Sequence, residues 1–336
     1  MSPIASGFLL LLVAGVANAN FATPMKFTRR WAWENTWLAW TIFALLVIPS
    51  ITTMTTVPAL GEAYRQAGWK IVIGTALFGA GWGVAQVFFG LAVDAIGVSL
   101  TFSIVMGISA AVGSLVPLMR LHSELLFTRM GGDLVGGVLI MLFGVVVCAL
   151  AGKRRESAQG RNGDEGSHRY GAGLLLAVLC GMGASFVNLG LAFGGAITAA
   201  ASQQGASSLN AVNAVWLPIM VAGAVPNLAY CIYLLRKNDS VSRFCMGGLS
   251  HWLLALLMAV LWFGSTILYG LSTVRLGALG TVLGWPLFMS LIVISASVVG
   301  LLTGEWKNSG RTPIALQSAG VGLLTIAVFV LTCSQQ

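Results

Sequence analysis

The chain has 336 residues, of which 57% are hydrophobic and only 8% charged, with a mean hydropathy of +0.89. A soluble domain carries about 25% charged residues, so the composition excludes a water-soluble globule and points to a polytopic membrane protein. The net charge of +8 sits almost entirely in short segments between apolar runs, where Lys and Arg set membrane orientation, and nucleic acid is therefore not an expected partner.

A hydrocarbon core about 30 Å thick takes about 20 apolar residues per crossing helix. In chain order, ten runs satisfy this: 3–22, 35–53, 70–94, 98–118, 132–151, 171–193, 211–235, 249–271, 277–302 and 312–333. The first contains GFLLLLVAGVANAN (7–20), whose Ala17-Asn18-Ala19 has the look of a leader cleavage site. No Lys or Arg precedes Lys26, however, so the basic start of a leader is missing and the run is counted as a span. The third and fourth runs divide at VDAIGVS (93–99), where Gly97 ends one helix and Ser99 is expected to cap the next.

Of the 18 Lys and Arg, 13 fall in the odd-numbered connections between runs and five in the even-numbered ones. This bias places the odd connections in the cytoplasm and both termini outside. The longest connection, GKRRESAQGRNGDEGSHRY (152–170), is hydrophilic and reads as a cytoplasmic linker between two halves, 1–151 and 171–336, of five spans each. GFLLLLVAG (7–15) and GLLLAVLCG (173–181) share glycines eight residues apart, and asparagines follow in both halves. With an odd number of spans per half, the second half enters the membrane inverted. The expected fold is therefore all-α, ten transmembrane helices in two inverted five-helix repeats, a plan that many secondary transporters share.

Buried chemistry is sparse. Five cysteines are scattered without a C-x-x-C, so neither a disulfide frame nor a metal site is expected. None of the ten carboxylates lies at the centre of a span; Glu34, Asp94, Asp133 and Glu305 stand at span ends. There is no H-E-x-x-H and no pair of aspartates at depth, which argues against a membrane enzyme, and no ring of charges that would suggest a channel. No cofactor is expected.

Neutral amides remain: Asn18, Asn20, Gln86, Asn188, Asn213 and Asn227. An amide in hydrocarbon must find partners, so each faces other helices, as glue, or a cavity. Gln86 stands out because Phe78, Trp82, Gln86 and Phe89 are spaced i, i+4, i+8 and i+11 along one stripe, with Gly79 and Gly83 on the adjacent face. Aromatic rings beside an amide can meet the C–H face and the hydroxyls of an uncharged polyol together. Trp262, Tyr269 and Trp285 offer similar surface in the second half, although most membrane tryptophans belong to interfacial belts.

LFGAGWGVAQVFFGLAVDAIGVSL (77–100) resembles a signature segment of the L-rhamnose–proton symporter family, within the drug/metabolite transporter superfamily. PMKFTRRWAWENTW (24–37), GLLLAVLCGMGAS (173–185), LPIMVAGAVPNLAYC (217–231) and GEWKNSGRTP (304–313) are similar to that family too. The resemblance implies ten helices in two inverted halves and sugar uptake coupled to protons. Two departures touch substrate choice: position 86 is Gln where the family pattern has Asn, and 262–290 lacks the family's glutamine and tyrosine–aspartate cluster.

The expected function is a bacterial inner-membrane secondary transporter importing a small neutral sugar, L-rhamnose or a related deoxy-sugar, by proton symport. The alternatives are an exporter or exchanger of another metabolite on the same fold and, more distantly, a non-transporting sensor. Expected substrate contacts are Trp82, Gln86, Phe89, Asn18, Asn188, Asn227, Trp262, Tyr269 and Trp285. Proton-coupling candidates are His251, Glu34 and Asp94. The partners are then sugar, proton and the lipid bilayer.

Overall fold

The computed structural model describes residues 2–158, 167–304, 306, 307 and 309–333, leaving out the side chains of Asp94, Val98, Ser99, Glu156 and residues 167–169. Part of the linker, 159–166, and Glu305 thus lie outside the described residues. The rest is helical: α1 (Pro3–Asn20), α2 (Trp33–Thr41), α3 (Ile48–Thr56), α4 (Leu60–Ala67), α5 (Trp69–Ile96), α6 (Val98–Leu121), α7 (Arg129–Ala158), α8 (Ser167–Ala184), α9 (Phe186–Phe193), α10 (Gly195–Gln203), α11 (Asn213–Lys237), α12 (Gly248–Leu276), α13 (Gly280–Leu302) and α14 (Arg311–Cys333). Among the described residues, nine stretches are long and apolar enough to cross a membrane; the longest, Gly248–Leu302, holds both α12 and α13.

Each expected run corresponds to helix, with four local differences. The second is interrupted by a π-helical stretch, Ile42–Val47, between α2 and α3. Nothing in its unbroken apolar sequence signals the extra residue per turn. The sixth run continues to Gln203 as three pieces, α8, α9 and α10, broken at Ser185 and Gly194. Ser185 folds its hydroxyl back onto the Met182 carbonyl at 2.6 Å. Gly97 does separate α5 from α6, at φ +84°, but it occupies the N-cap position itself and Ser99 lies inside α6. A residue without Cβ adopts that φ freely, so no side-chain cap is needed to start the new helix. The short α4, between the second and third spans, was not anticipated.

The chain forms two compact units: Met1–Val87 with Phe186–Gly280, and Phe88–Ser185 with Thr281–Gln336. Each draws on both halves of the sequence. Lipid supplies no hydrophobic drive between helices, so close approach at small residues holds such units together. In the first unit, a Cβ on Gly79 would stand 2.6 Å from the Ile219 Cα, and one on Gly83 would stand 3.0 Å from the Gly223 Cα. These are the two glycines of the predicted small-residue face, and they bring α5 onto α11. In the second unit, Gly144 packs against Leu323 and Leu324, so α7 and α14 close in the same way, while Gly181 of α8 abuts Ile108 of α6.

Candidate binding site

The predicted contact residues gather mainly in the first unit. Trp82 on α5 is only 4% exposed, and its indole stacks on that of Trp262 from α12, centroids 5.4 Å apart and planes 20° apart. Beneath this pair, Asn227 of α11 donates from Nδ2 to the Gly223 carbonyl at 3.0 Å and, at 3.5 Å, to that of Gly83. Its Oδ1 accepts from Trp37 Nε1 at 3.2 Å. Asn18 of α1 donates to Ser265 Oγ at 2.9 Å, and that hydroxyl donates to the Trp262 carbonyl at 2.6 Å. The amides at 18 and 227 thus tie α1, α2, α5, α11 and α12 around the tryptophan pair.

Asn188 lies on α9, the short piece between the two helix breaks. It is fully buried, and its Oδ1 accepts a hydrogen bond from the Tyr269 hydroxyl, itself 1% exposed. Broken helices at membrane depth occur where the freed backbone lines a site or finds partners in neighbouring helices. Gln86 is half-buried on α5, and among the described residues it has no hydrogen-bond partner. It is therefore the one predicted site amide that makes no hydrogen bond among the described residues.

Two predicted contacts belong to the second unit. Phe89 is half-buried on the part of α5 that joins that unit. Trp285 of α13 is buried, donates from Nε1 to the Ser109 carbonyl at 2.9 Å, and lies over Gly113, where a Cβ on Gly113 would sit 3.2 Å from the indole Cγ. That arrangement seats the ring firmly against α6.

The proton-coupling candidates occupy different settings. Glu34, 4% exposed at the start of α2, accepts from Asn238 Nδ2 at 3.0 Å and from Ser240 Oγ at 2.5 Å. Asn35 reinforces the same closure, donating to the Ser240 carbonyl at 2.9 Å. His251, 8% exposed on α12, has its ring 5.4 Å from that of Trp31 and its Nδ1 3.3 Å from Ser250 Oγ, while Nε2 has no partner among the described residues. Asp94 lies in the last turn of α5, and its side chain is outside the described residues.

The structure adds aromatic residues that sequence reasoning left out. Trp33 stacks on Trp37 at 5.1 Å, Trp37 meets Trp40 at 4.5 Å, and Trp40 sits edge-on to Trp262 at 5.3 Å. Five indoles therefore run in continuous contact from the start of α2 to Trp82. Their spacing, i, i+4 and i+7 in WAWENTWLAW, carried the signal.

A family model of the L-rhamnose-proton symport protein matches residues 1–334, nearly the whole chain. The chain belongs to that family. Proteins named L-rhamnose-proton symporter from Salmonella typhi and from Cronobacter sakazakii (strain ATCC BAA-894) are each 30% identical over 332 residues, 96% of both chains. Membership in the L-rhamnose-proton symport protein family places the chain among multi-pass membrane transporters rather than enzymes.

Proposed function

We propose that the chain imports L-rhamnose or a closely related neutral deoxy-sugar across the bacterial inner membrane, together with protons, by alternating access. The observation that carries this reading is the convergence of Trp82, Trp262, Asn18, Asn227, Asn188 and Tyr269 within one unit of a chain matched end to end by a symporter family. Indole faces take the apolar C–H face of a pyranose, and amides and hydroxyls take its hydroxyl groups. Gln86, with its amide uncommitted, is the proposed primary hydroxyl ligand.

The proposed architecture is ten crossings in two inverted repeats, 1–151 and 171–336, joined by the cytoplasmic linker 152–170, with both termini periplasmic. Gly248–Leu302, taken as one helix, would extend about 80 Å, against a hydrocarbon core of about 30 Å, which supports counting α12 and α13 as two crossings. The concentration of Lys and Arg in the odd connections supports the orientation. Because the sugar is neutral, each coupled proton carries net charge, so transport is electrogenic. His251, Glu34 and Asp94 are the proposed carriers, each at a helix end where access alternates.

The test is uptake into proteoliposomes across a panel of labelled sugars, with and without an imposed proton gradient. L-Rhamnose accumulation that rises with an inward gradient is expected, and flux indifferent to the gradient refutes symport. In the same assay, Gln86→Ala raises the half-saturation concentration about tenfold with membrane insertion unchanged. Loss of insertion instead would make Gln86 a packing residue.

A further inference from the structure

Trp31, Trp40 and Trp216 of the first unit each bury an indole N–H that has no hydrogen-bond partner among the described residues. A buried donor left unpaired is costly, so each of the three calls for an explanation. For two of them, packing leaves no room for a partner. Trp216 Nε1 faces Gly270 of α12, where an added Cβ would lie 2.9 Å from it, and Trp31 Nε1 abuts Gly247 still more closely. Glycine backbone closes over both nitrogens. Trp40, 1% exposed on α2, differs. Its ring neighbours are Phe21 at 6.0 Å, Trp37 at 4.5 Å and Trp262 at 5.3 Å, side chains that can turn about their own bonds.

The neighbouring indoles define what this N–H can serve. Trp37 Nε1 is committed to Asn227 Oδ1 at 3.2 Å, whereas Trp40 Nε1 is not committed to any described group. The Trp40 plane stands 78° from that of Trp262, whose ring is stacked on Trp82. A pyranose lying on an indole face carries its hydroxyls around its rim. An indole N–H lies in the plane of its own ring, so a ring standing nearly perpendicular beside that face presents its donor to the rim. Indole nitrogen only donates, and every sugar hydroxyl accepts. The next residue, Thr41, is fully buried and its hydroxyl has no partner among the described residues either. Threonine inside a helix ordinarily turns its hydroxyl back onto a carbonyl one turn earlier, as Thr55 and Thr266 do. The π-helical stretch Ile42–Val47 starts directly after this pair, and such stretches recur at functional sites.

We infer that Trp40 is a substrate-binding residue, its Nε1–H donating to one hydroxyl oxygen of the bound sugar. The inference rests on the proposed function and adds one specificity-determining ligand to that site. Ring faces such as those of Trp82 and Trp262 discriminate little among sugars, because every pyranose offers C–H surface. A buried donor discriminates more strongly, since a sugar lacking the matching oxygen leaves it unpaired. Because Nε1 is buried, the sugar reaches it only when the indoles part, which rotation of Trp262 about its side-chain bonds permits.

The experiment removes the N–H without changing the shape of the ring. In the full chain, Trp40 is replaced through an amber codon by the benzothiophene analogue of tryptophan, which carries sulfur in place of Nε1. Uptake of labelled L-rhamnose into proteoliposomes is measured, with monodeoxy L-rhamnoses as competitors. The half-saturation concentration is expected to rise about threefold or more. One monodeoxy sugar should bind the wild type more weakly than L-rhamnose by a similar factor and lose nothing further in the variant, while the others lose as much as L-rhamnose does. A smaller rise overturns the inference. So does a rise shared equally by every competitor, which would make Trp40 purely structural. The same exchange at Trp216 is expected to leave half-saturation unchanged, and an equal rise there also overturns the inference. Should the analogue-bearing chain fail to insert, Trp40→Phe carries the same comparison among competitors. A wild type that accumulates no L-rhamnose refutes the proposed function and this inference together, whereas unchanged half-saturation at position 40 in an active transporter refutes this inference alone.

Discussion

Replacing Gly79 with Ala tests whether α5 and α11 must touch for the site to exist. The added Cβ would lie 2.6 Å from the Ile219 Cα, whereas ordinary contact begins at 3.4 Å, so the two helices must part by about 0.8 Å along that line. The opposing atoms are backbone, and no side chain can swing aside. Overpacking of this kind costs about 1–3 kcal/mol, a fall of about 2–4 °C in Tm for each kcal/mol. The displacement also acts on the site, because Asn227 reaches Gly83 and Gly223 across the same seam and Trp82 stands one turn along it. Thermal unfolding in nanodiscs and sugar uptake at several concentrations measure the two effects. Gly74→Ala on the same helix is the control: its Cβ meets nothing within 4 Å, and helix propensity predicts a gain of up to about 1 kcal/mol. If Gly79→Ala matches Gly74→Ala in Tm and in half-saturation, the seam is not held as described.

Tyr269→Phe removes the hydroxyl that Asn188 accepts from, with both residues buried. Interhelical hydrogen bonds in membranes average about 0.6 kcal/mol and reach about 1.7, so a loss of about 0.5–1.5 kcal/mol is expected in thermal unfolding. A rise in half-saturation beyond what the stability loss explains would mark Asn188 as a sugar ligand. Tyr64 of α4 provides a pH test, since burial pushes its phenol above the ordinary range and its hydroxyl donates to the Ala214 carbonyl at 2.9 Å. A raised folded-state pKa gives stability that is complete below about pH 10 and is lost as pH rises toward the folded value. Melting curves of the wild type should therefore fall more steeply above pH 10 than those of Tyr64→Phe; parallel curves would show that Tyr64 is not protected by burial.

The long helices were legible because hydrocarbon thickness imposes one length on every crossing, and the seam was legible because Gly79 and Gly83 recur on one face. What escaped the sequence has physical causes too. The π-helical stretch Ile42–Val47 contains no Gly or Pro to announce it, and it packs against α11 and α12. Helix α4 is too short and too polar for a span, and it rests on α10 through Gln66, which bonds Gln203 and, at 2.9 Å, Gln204. Trp37 and Trp40 fit the expected interfacial belt, and only the tertiary fold turns their spacing into a ladder reaching Trp262. The amides at 188 and 227 are buried and that at 18 is half-buried, each bonded to a neighbouring helix, yet sequence leaves open whether such an amide binds substrate or a neighbouring helix.

The hydrogen bonds at the two ends of the first unit bear on how such a site could alternate. At one end, Glu34 and Asn35 hold Asn238 and Ser240; at the other, Gln66 holds Gln203 and Gln204, and Asn213 reaches Thr56 Oγ1 at 3.0 Å. Apart from Glu34, these groups are neutral, and each bond is worth about 1 kcal/mol net because water replaces it on opening. Two states separated by a few kcal/mol interconvert readily and respond to a ligand that prefers one of them. Glu34 is the exception: charge-assisted bonds are stronger, about 1.5–3 kcal/mol, and protonation would weaken both of those it accepts. On the proposed orientation this carboxylate stands at the cytoplasmic mouth, so a proton arriving there would loosen that closure and leave the opposite, neutral one intact. Among the three proposed carriers, Glu34 therefore has the most direct mechanical link between a proton and an opening.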